Sequence, residues 1–171
     1  METLKQRLVK GPVFGTFCKT NDPFFIEALG KAGFDYAILD CEHGPNEPRA
    51  LLPLILAARA SGLAPVVRVA SLSAPEIQRV LDMGVDGVQI PQIGSREDAQ
   101  RAVRYTKFHP QGERGVCRYV RAADYSLMEK PRYFASQNAD VAVIIHIEGA
   151  EGLRNLDAIL GVEGIDVVFI G

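Results

Sequence analysis

The sequence has few cysteines and no long apolar run. Its three cysteines, Cys18, Cys41 and Cys117, are odd in number and form no C-x-x-C spacing, so we interpret them as free thiols in a reducing compartment. The first ten residues contain no apolar signal core, and no apolar stretch approaches the length of a membrane span. We therefore expect a cytoplasmic protein that does not cross a membrane.

An excess of one charge is also missing. Lysine and arginine (19) nearly balance aspartate and glutamate (21), and the formal net charge is -2. No basic stripe with interleaved aromatic residues is present, so nothing indicates a protein that binds nucleic acid or an anionic membrane surface. Hydrophobic residues make up 47% of the 171 positions, which is enough to bury the core of one domain or part of one.

Strand and helix patterns alternate along the whole chain. The predicted strands are apolar runs without polar alternation, which is typical of a parallel sheet buried on both faces. Helical patterns lie between them, with starts predicted at Asp22, Pro48 and Ser95 and at a capping box of Ser73 with Glu76. The strands are predicted at residues 13–19, 35–42, 64–69, 87–93, 141–148 and 165–170.

The interval between the fourth and fifth predicted strands interrupts this alternation. Residues 108–120 include a His-Pro pair and two glycines, and they predict a loop that is too long for a plain connection. Such loops are often functional. A helix is predicted over about residues 122–137, and Leu153, Leu156 and Leu160 indicate another after the fifth strand.

Repeated strand–helix units form either an open doubly wound sheet or a closed barrel. No G-x-G-x-x-G turn follows the first strand, which argues against a dinucleotide-binding fold. Polar residues at the ends of several strands favour the rim of a barrel over the single crevice of an open sheet. These residues are Asp40, Glu42, His43, Arg68, Gln92, His146 and Glu148.

We therefore predict an α/β fold, a (β/α)8 TIM barrel of which the chain carries about the first six units. Residues 1–171 are expected to form a single barrel domain that stops before strands seven and eight. An unclosed barrel exposes two strand edges. Either a longer protein or a second chain would complete it.

His146 and Glu148 lie on the same side of the fifth strand, because side chains alternate along a strand. A carboxylate that points into the mouth of a barrel needs a cationic partner. Glu148 is therefore a candidate ligand for Mg²⁺ or Mn²⁺, which prefer oxygen donors. A salt bridge with Arg68 or Arg114 is an equally good interpretation of the spacing.

Asp40 and His43 lie three residues apart across a strand end. A carboxylate that orients an imidazole produces a better proton-transfer group. The spacing alone slightly favours the alternative, in which Asp40 accepts backbone hydrogen bonds and His43 caps the next loop. Arg68, deep in an apolar strand, needs an anionic or polar partner, which a substrate, Asp40 or Glu148 would provide.

Five segments together resemble the metal-dependent (class II) pyruvate aldolases of the 4-hydroxy-2-oxoheptanedioate and 2-dehydro-3-deoxyglucarate aldolase type, in the citrate lyase beta-like superfamily. The D-x-E-H-x-P-N element is specific, whereas the others are weak singly and strong together. They occur in family order with family spacing and cover nearly the whole chain. The segments are residues 40–46, 66–68, 112–116, 147–148 and 168–171.

The resemblance implies a role for each matching residue. Glu148 matches the first metal-binding carboxylate, while the second would lie beyond the last residue of this sequence. Arg68 matches the arginine that holds the keto oxygen of pyruvate or its enolate. Asp40 and His43 match the dyad implicated in proton transfer. Gly171 begins an element whose backbone helps to bind the pyruvate carboxylate.

His146 departs from the resemblance, since many relatives carry glutamine there, near a metal-bound water. We assign this position to substrate binding. The change from glutamine to histidine is expected to alter proton transfer or metal preference. The rest of the motif set is unaffected by this difference.

The resemblance implies reversible aldol cleavage of a 4-hydroxy-2-oxo acid to pyruvate and an aldehyde through a metal-stabilised pyruvate enolate. The cofactor would be Mg²⁺, Mn²⁺ or Co²⁺, and relatives are commonly homo-oligomers, often hexamers. An acyl-CoA lyase of the same barrel superfamily and an inactive partial barrel that needs a partner chain are the alternatives. A Schiff-base aldolase would need a lysine inside the barrel, for which Lys19 is the only candidate.

Overall fold

Six parallel strands form one sheet in the computed structural model, which describes residues 2–171. Their order in the sheet is their order in the chain, as in a (β/α) barrel, so the prediction of six successive barrel units is confirmed. The strands are β1 (Gly15–Cys18), β2 (Tyr36–Asp40), β3 (Ala64–Arg68), β4 (Gly87–Ile90), β5 (Ala142–Ile147) and β6 (Val167–Ile170).

Helices cover the outer face of the sheet. The predicted starts at Asp22 and Ser95 are confirmed: Asp22 accepts a hydrogen bond from the backbone N–H of Phe24 (2.9 Å), and Ser95 forms a capping box with Asp98. The helices are α1 (Leu4–Lys10), α2 (Pro23–Lys31), α3 (Leu51–Ala60), α4 (Ala74–Asp82), α5 (Arg96–Thr106), α6 (Lys130–Asp140), α7 (Ala150–Arg154) and α8 (Leu156–Leu160), with short 3-10 helices at Pro48–Ala50 and Arg121–Ser126.

The helix predicted over about residues 122–137 is wrong at its start. Asp124, Tyr125 and Ser126 have positive φ angles of 50°, 51° and 78°, which interrupt any helix at this point. The regular helix α6 therefore begins only at Lys130. No pattern of glycine or proline in this stretch marks the left-handed turn.

Two further helix predictions need correction. The Ser73 hydroxyl makes no capping hydrogen bond at the start of α4, and the Glu76 carboxylate accepts a hydrogen bond from the hydroxyl of Ser71 (3.5 Å). The helix predicted after β5 is divided at Asn155 into α7 and α8. Helix α1 was not predicted, although Thr3 and Gln6 form a capping box at its start.

Side chains of each strand alternate between two environments. One face packs under the helices in the main core, and the other faces the barrel interior. The outer core includes Leu39, Val67, Val88 and Ile145, and the interior includes Ile38, Val66 and Ile144. Because the strands are parallel, the inward side chains at their carboxyl ends meet at one end of the barrel.

Helix α1 closes the opposite end. Leu4, 1% exposed, packs in the interior, and Lys5 forms an ion pair with Asp166 (2.8 Å) before β6. The Arg7 guanidinium donates hydrogen bonds to the carbonyl oxygens of Asp35 and Gly62 (3.0 Å each), which precede β2 and β3. None of the helices that residues 2–171 form has the length and hydropathy needed to span a bilayer.

Lys107 is buried at this amino end of the strands. Its Nζ donates hydrogen bonds to the carbonyl oxygens of Asn138 (2.8 Å) and Val141 (2.9 Å). Burial lowers the pKa of Lys107 from its ordinary 10.5 to about 8.

The free energy of unfolding should depend on pH through Lys107. Between about pH 8 and 10.5 the unfolded chain holds a proton that the folded protein has lost, so rising pH stabilises the fold. We expect the protein to gain stability relative to Lys107→Met across this interval, measured by urea denaturation at each pH. Lys31→Met, at an exposed position, is the control; a pH-independent difference for Lys107→Met would contradict the assignment.

Candidate active site

Arg68 is the centre of a polar cluster at the carboxyl end of the sheet. Its Nε and Nη2 donate hydrogen bonds to the two carboxylate oxygens of Asp40 (2.9 and 2.7 Å). Arg68 is 5% exposed and Asp40 is fully buried. The register of β2 and β3 places the two residues directly opposite each other, so that the planar guanidinium meets the carboxylate as a fork.

The charges of this pair stabilise each other. Burial alone would raise the pKa of Asp40, but hydrogen bonds from Arg68 and from the backbone N–H groups of Glu42 and His43 hold it below its ordinary value. Burial opposes the charge of Arg68 as well, yet Asp40 and Glu42 raise the pKa of the guanidinium. Both groups are therefore ionised at neutral pH. The guanidinium has more N–H donors than its bonds to Asp40 use.

Glu42 is the second carboxylate beside Arg68. Its Oε2 lies 2.9 Å from Arg68 Nη1, although the alignment is too poor for a hydrogen bond, and its side chain is 5% exposed. Its Oε1 accepts a hydrogen bond from the Gln92 side-chain amide (3.1 Å). The chain bends directly after β2, and the Asp40 and Glu42 carboxylates both lie beside the Arg68 guanidinium.

Aromatic rings form the floor under this cluster. The Arg68 guanidinium lies over the ring of Phe17, 4.8 Å from its centroid. Phe17 contacts Phe169 edge to face (5.6 Å), and Phe169 contacts the His146 ring in the same manner (4.4 Å). This apolar floor keeps water away from one side of Arg68 and His146, which strengthens electrostatic interactions above it.

Glu42, His146 and Glu148 form a candidate metal group. Their ligand atoms all lie within 4.8 Å of one another, and His146 Nδ1 is 3.4 Å from Glu148 Oε1. Burial lowers the pKa of His146, which favours the neutral imidazole that binds metals. Together with Asp40 and Arg68, the three carboxylates and one guanidinium carry a formal charge of -2.

A divalent ion fits this group. Within residues 2–171, both ring nitrogens of His146 and Glu42 Oε2 are buried and have no hydrogen-bond partner. Buried polar atoms without a partner are uncommon in folded proteins, and a bound ion or water normally accounts for them. Carboxylate and imidazole donors suit Mg²⁺, Mn²⁺ and Co²⁺.

The expected pairing of the Asp40 and His43 side chains is not observed. Asp40 instead accepts a hydrogen bond from the backbone N–H of His43 (3.3 Å), which is the alternative that the spacing slightly favoured. The His43 imidazole is 61% exposed, and its Nε2 lies 3.8 Å from Glu42 Oε1. The carboxylate nearest this imidazole is therefore that of Glu42.

Gly171 lies beside the candidate metal group, at the end of β6. A Cβ on this residue would lie 2.7 Å from His146 Nε2 and 3.4 Å from Glu148 Cβ. A side chain here would therefore push His146 away from its present position. Gly171 also donates a backbone hydrogen bond to the Ile147 carbonyl oxygen (3.0 Å), which fixes the end of β6 against β5.

Two residues that the sequence left as alternatives lie away from this cluster: Arg114, a possible partner of Glu148, and Lys19, the candidate Schiff-base lysine. The Arg114 guanidinium bonds Asp82 (2.8 Å) and Gln137 (3.1 Å), so it is held away from Glu148. Lys19 is exposed at the end of β1.

No role was predicted for Glu42 or Gln92, although both are among the polar residues at the strand ends. The Gln92 backbone N–H donates to Glu148 Oε1 (2.9 Å), in addition to its side-chain bond to Glu42. The spacing of Glu42 from Asp40 was an available signal for a shared face. The contacts of Gln92 depend on a backbone conformation that the sequence does not indicate.

The chain matches one protein family over most of its length. A family model described as HpcH/HpaI aldolase/citrate lyase matches residues 13–171. The chain is 40% identical over 157 residues to the 5-keto-4-deoxy-D-glucarate aldolase of Salmonella newport (strain SL254), a match that covers 92% of the chain and 60% of the relative. The chain therefore spans less than two thirds of the length of the curated relatives it matches.

Solved structures of proteins named for the same family also resemble this chain. An HpcH/HpaI aldolase from Desulfitobacterium hafniense DCB-2 superposes with a TM-score of 0.92 at 31% identity, over 100% of this chain and 66% of that one. An HpcH/HpaI aldolase/citrate lyase family protein from Burkholderia cenocepacia J2315 has a TM-score of 0.91 at 37% identity, over 98% and 68%.

Removal of Arg68 should destabilise the fold strongly, because Asp40 would remain buried and charged without its partner. We expect Arg68→Met to lower the free energy of unfolding by about 3 to 5 kcal/mol. The double variant Asp40→Asn/Arg68→Met removes the unpaired charge of Asp40 and should recover part of that loss, although Glu42 still lacks Arg68. Chemical denaturation of the three proteins measures both effects.

The matched control is Arg101→Met. Arg101 forms an ion pair with Asp98 at the surface, where solvent screens the attraction, so its loss should change the stability little. Equal losses in the single and double Arg68 variants would show that the ion pair is not what stabilises this end of the barrel.

Proposed function

Because this chain belongs to the HpcH/HpaI aldolase/citrate lyase family, we propose that its Arg68 cluster is the site of a metal-dependent aldolase. The reaction is the reversible cleavage of a 4-hydroxy-2-oxo acid to pyruvate and an aldehyde. One observation carries the proposal: a buried guanidinium lies beside carboxylate and imidazole ligands with an overall negative charge. A fixed cation and a metal site together suit the stabilisation of an enolate.

Glu148 would hold the metal ion, with Glu42 and His146 as the other candidate ligands. When bound, a divalent ion acts as a Lewis acid toward the keto oxygen and carboxylate of the substrate. The unpartnered atoms of His146 and Glu42 support this assignment. Gly171 lies so close to His146 and Glu148 that a side chain there would displace the imidazole, and its backbone is the proposed contact of the substrate carboxylate.

Arg68 stabilises the charge that develops on the keto oxygen. As the C3–C4 bond breaks, its electron pair moves toward the carbonyl, and the oxygen becomes the oxygen of an enolate. Asp40 holds the guanidinium in a fixed orientation, so no reorganisation is needed as the charge appears. One such preorganised donor contributes about 3 kcal/mol to the stability of the transition state.

His43 is the proposed base for the 4-hydroxyl proton, either directly or through a water molecule. Its exposed imidazole is accessible from the mouth of the barrel, and Glu42 is the carboxylate that lies near it. Loss of the hydroxyl proton together with cleavage of the C3–C4 bond turns C4 into the carbonyl carbon of the aldehyde, and return of a proton to C3 of the enolate gives pyruvate. Asp40 then acts through Arg68 and through the backbone of His43.

We propose 5-keto-4-deoxy-D-glucarate as the first substrate to test, because relatives at 40% identity are named for it. Numbered from its keto end, this compound is a 4-hydroxy-2-oxo acid. A polar cavity of about 470 Å³ next to the candidate metal group offers room for the aldehyde portion. Its walls include Gln92, Gly94, Glu148 and Glu151.

We also propose that the site works inside a closed (β/α)8 barrel, as one aldolase domain. The greater length of the relatives supports this, as do Phe17 and Phe169, which pack against each other from the two outermost strands of the described sheet. Further units of the same protein or a second chain would complete the barrel. A homohexamer and a cytoplasmic location stay predictions from the resemblance and the composition.

Activity should depend on a divalent ion. Excess chelator should abolish pyruvate release from 5-keto-4-deoxy-D-glucarate, measured with lactate dehydrogenase as coupling enzyme, and Mg²⁺, Mn²⁺ or Co²⁺ should restore it. Borohydride added with pyruvate should leave the mass of the protein unchanged, since no lysine of residues 2–171 bonds to Arg68 or to the candidate metal group. Full activity in chelator, with no residual metal by elemental analysis, would rule out the proposed mechanism.

Arg68 should be needed for enolate formation itself. Exchange of the pyruvate C3 protons with deuterated water, followed by NMR, isolates this half-reaction from aldehyde binding. Arg68→Lys keeps the charge but not the planar fork, so we expect exchange to slow at least about 10-fold. A folded Arg68→Lys protein that exchanges at the unmutated rate would show that the assigned role is wrong.

A further inference from the structure

Gln92 connects two carboxylates of the candidate metal group. Its backbone N–H donates to Glu148 Oε1 (2.9 Å), and its side-chain Nε2 donates to Glu42 Oε1 (3.1 Å). Glu148 follows β5 and Glu42 follows β2, so these two hydrogen bonds join residues from opposite parts of the sheet. Each bond directs a polar N–H toward a negative group, which makes it stronger than a bond between neutral partners.

The backbone of Gln92 has an unusual conformation that makes this double contact possible. Its φ angle is 56°, in the left-handed region that favours glycine. The next residue, Ile93, donates its backbone N–H to the carbonyl oxygen of His146 (3.0 Å), which fixes this loop to β5. Non-glycine residues in such conformations are concentrated at functional sites.

Glu42 has few other partners. Arg68 lies near its Oε2 without an aligned hydrogen bond, and the His43 imidazole lies 3.8 Å from its Oε1. Without the Gln92 amide, the Glu42 carboxylate would be free to rotate toward Arg68 and away from Glu148. Mutual repulsion between Glu42 and Glu148 favours that rotation.

We propose that Gln92 is a positioning residue that holds Glu42 and Glu148 together for one divalent ion. The inference rests on the proposed function, because it assigns the three-residue group to metal binding. Gln92 itself need not touch the metal or the substrate. It acts as an outer partner that orients the ligands, and loss of such partners typically weakens metal binding by about 10- to 100-fold.

The test is Mn²⁺ binding to the purified protein, measured by isothermal titration calorimetry and by electron paramagnetic resonance of free Mn²⁺. Gln92→Met preserves size but removes the donor, and Gln92→Gly keeps the backbone N–H while it relieves the φ angle. Both should bind Mn²⁺ about 10-fold more weakly than the unmutated protein. Gln100→Met, at an exposed position on α5, should bind it with unchanged affinity.

The thermal unfolding of each metal-free variant separates positioning from a structural role, since the inference predicts little change there. If Gln92→Met does not fold, Gln92→Gly carries the test, because glycine accepts this backbone conformation without strain. Unchanged Mn²⁺ affinity in the folded variant would overturn the role of Gln92 and leave the aldolase proposal intact. If the unmutated protein itself binds no Mn²⁺, the proposed metal site fails and the inference fails with it.

Discussion

The buried ion pair between Arg68 and Asp40 determines the arrangement of the carboxyl end of the sheet. A guanidinium in an apolar strand is stable only with an aligned anion, and the register of β2 and β3 supplies Asp40 directly opposite. Asp40 accepts hydrogen bonds from Arg68 and from the backbone N–H groups of Glu42 and His43, and its carboxylate does not contact the His43 imidazole. Glu42 is the carboxylate that lies near the His43 imidazole.

This division of roles explains why the site has polar atoms without partners. Asp40 neutralises Arg68, so Glu42 and Glu148 keep negative charge that no other cation in the cluster balances. His146, lowered in pKa by burial and placed over Phe169, adds a neutral nitrogen donor. Asp40 and Arg68 thus compensate each other, while the remaining carboxylates keep negative charge without a matching cation. An excess of negative charge of this kind is expected of a cation site.

Much of the fold could be predicted from the sequence, because apolar runs such as that of β5 are buried on both faces and helices such as α2 carry their own cap signals. The site could be predicted only in part. A spacing of three residues between Asp40 and His43 fits either a side-chain pair or a backbone contact, and strand register decides between them. Gln92 escaped prediction because its role depends on a positive φ angle, as did the turn at Asp124 that delays α6.

The central claim is that Glu42, His146 and Glu148 bind one divalent ion beside Arg68. X-ray diffraction at the manganese absorption edge, from crystals soaked in Mn²⁺ and the enolate mimic oxalate, tests it most directly. The account predicts one anomalous peak among these three side chains, with an oxalate oxygen within hydrogen-bond distance of the Arg68 guanidinium. A peak elsewhere in the protein, or oxalate bound out of reach of Arg68, would contradict it.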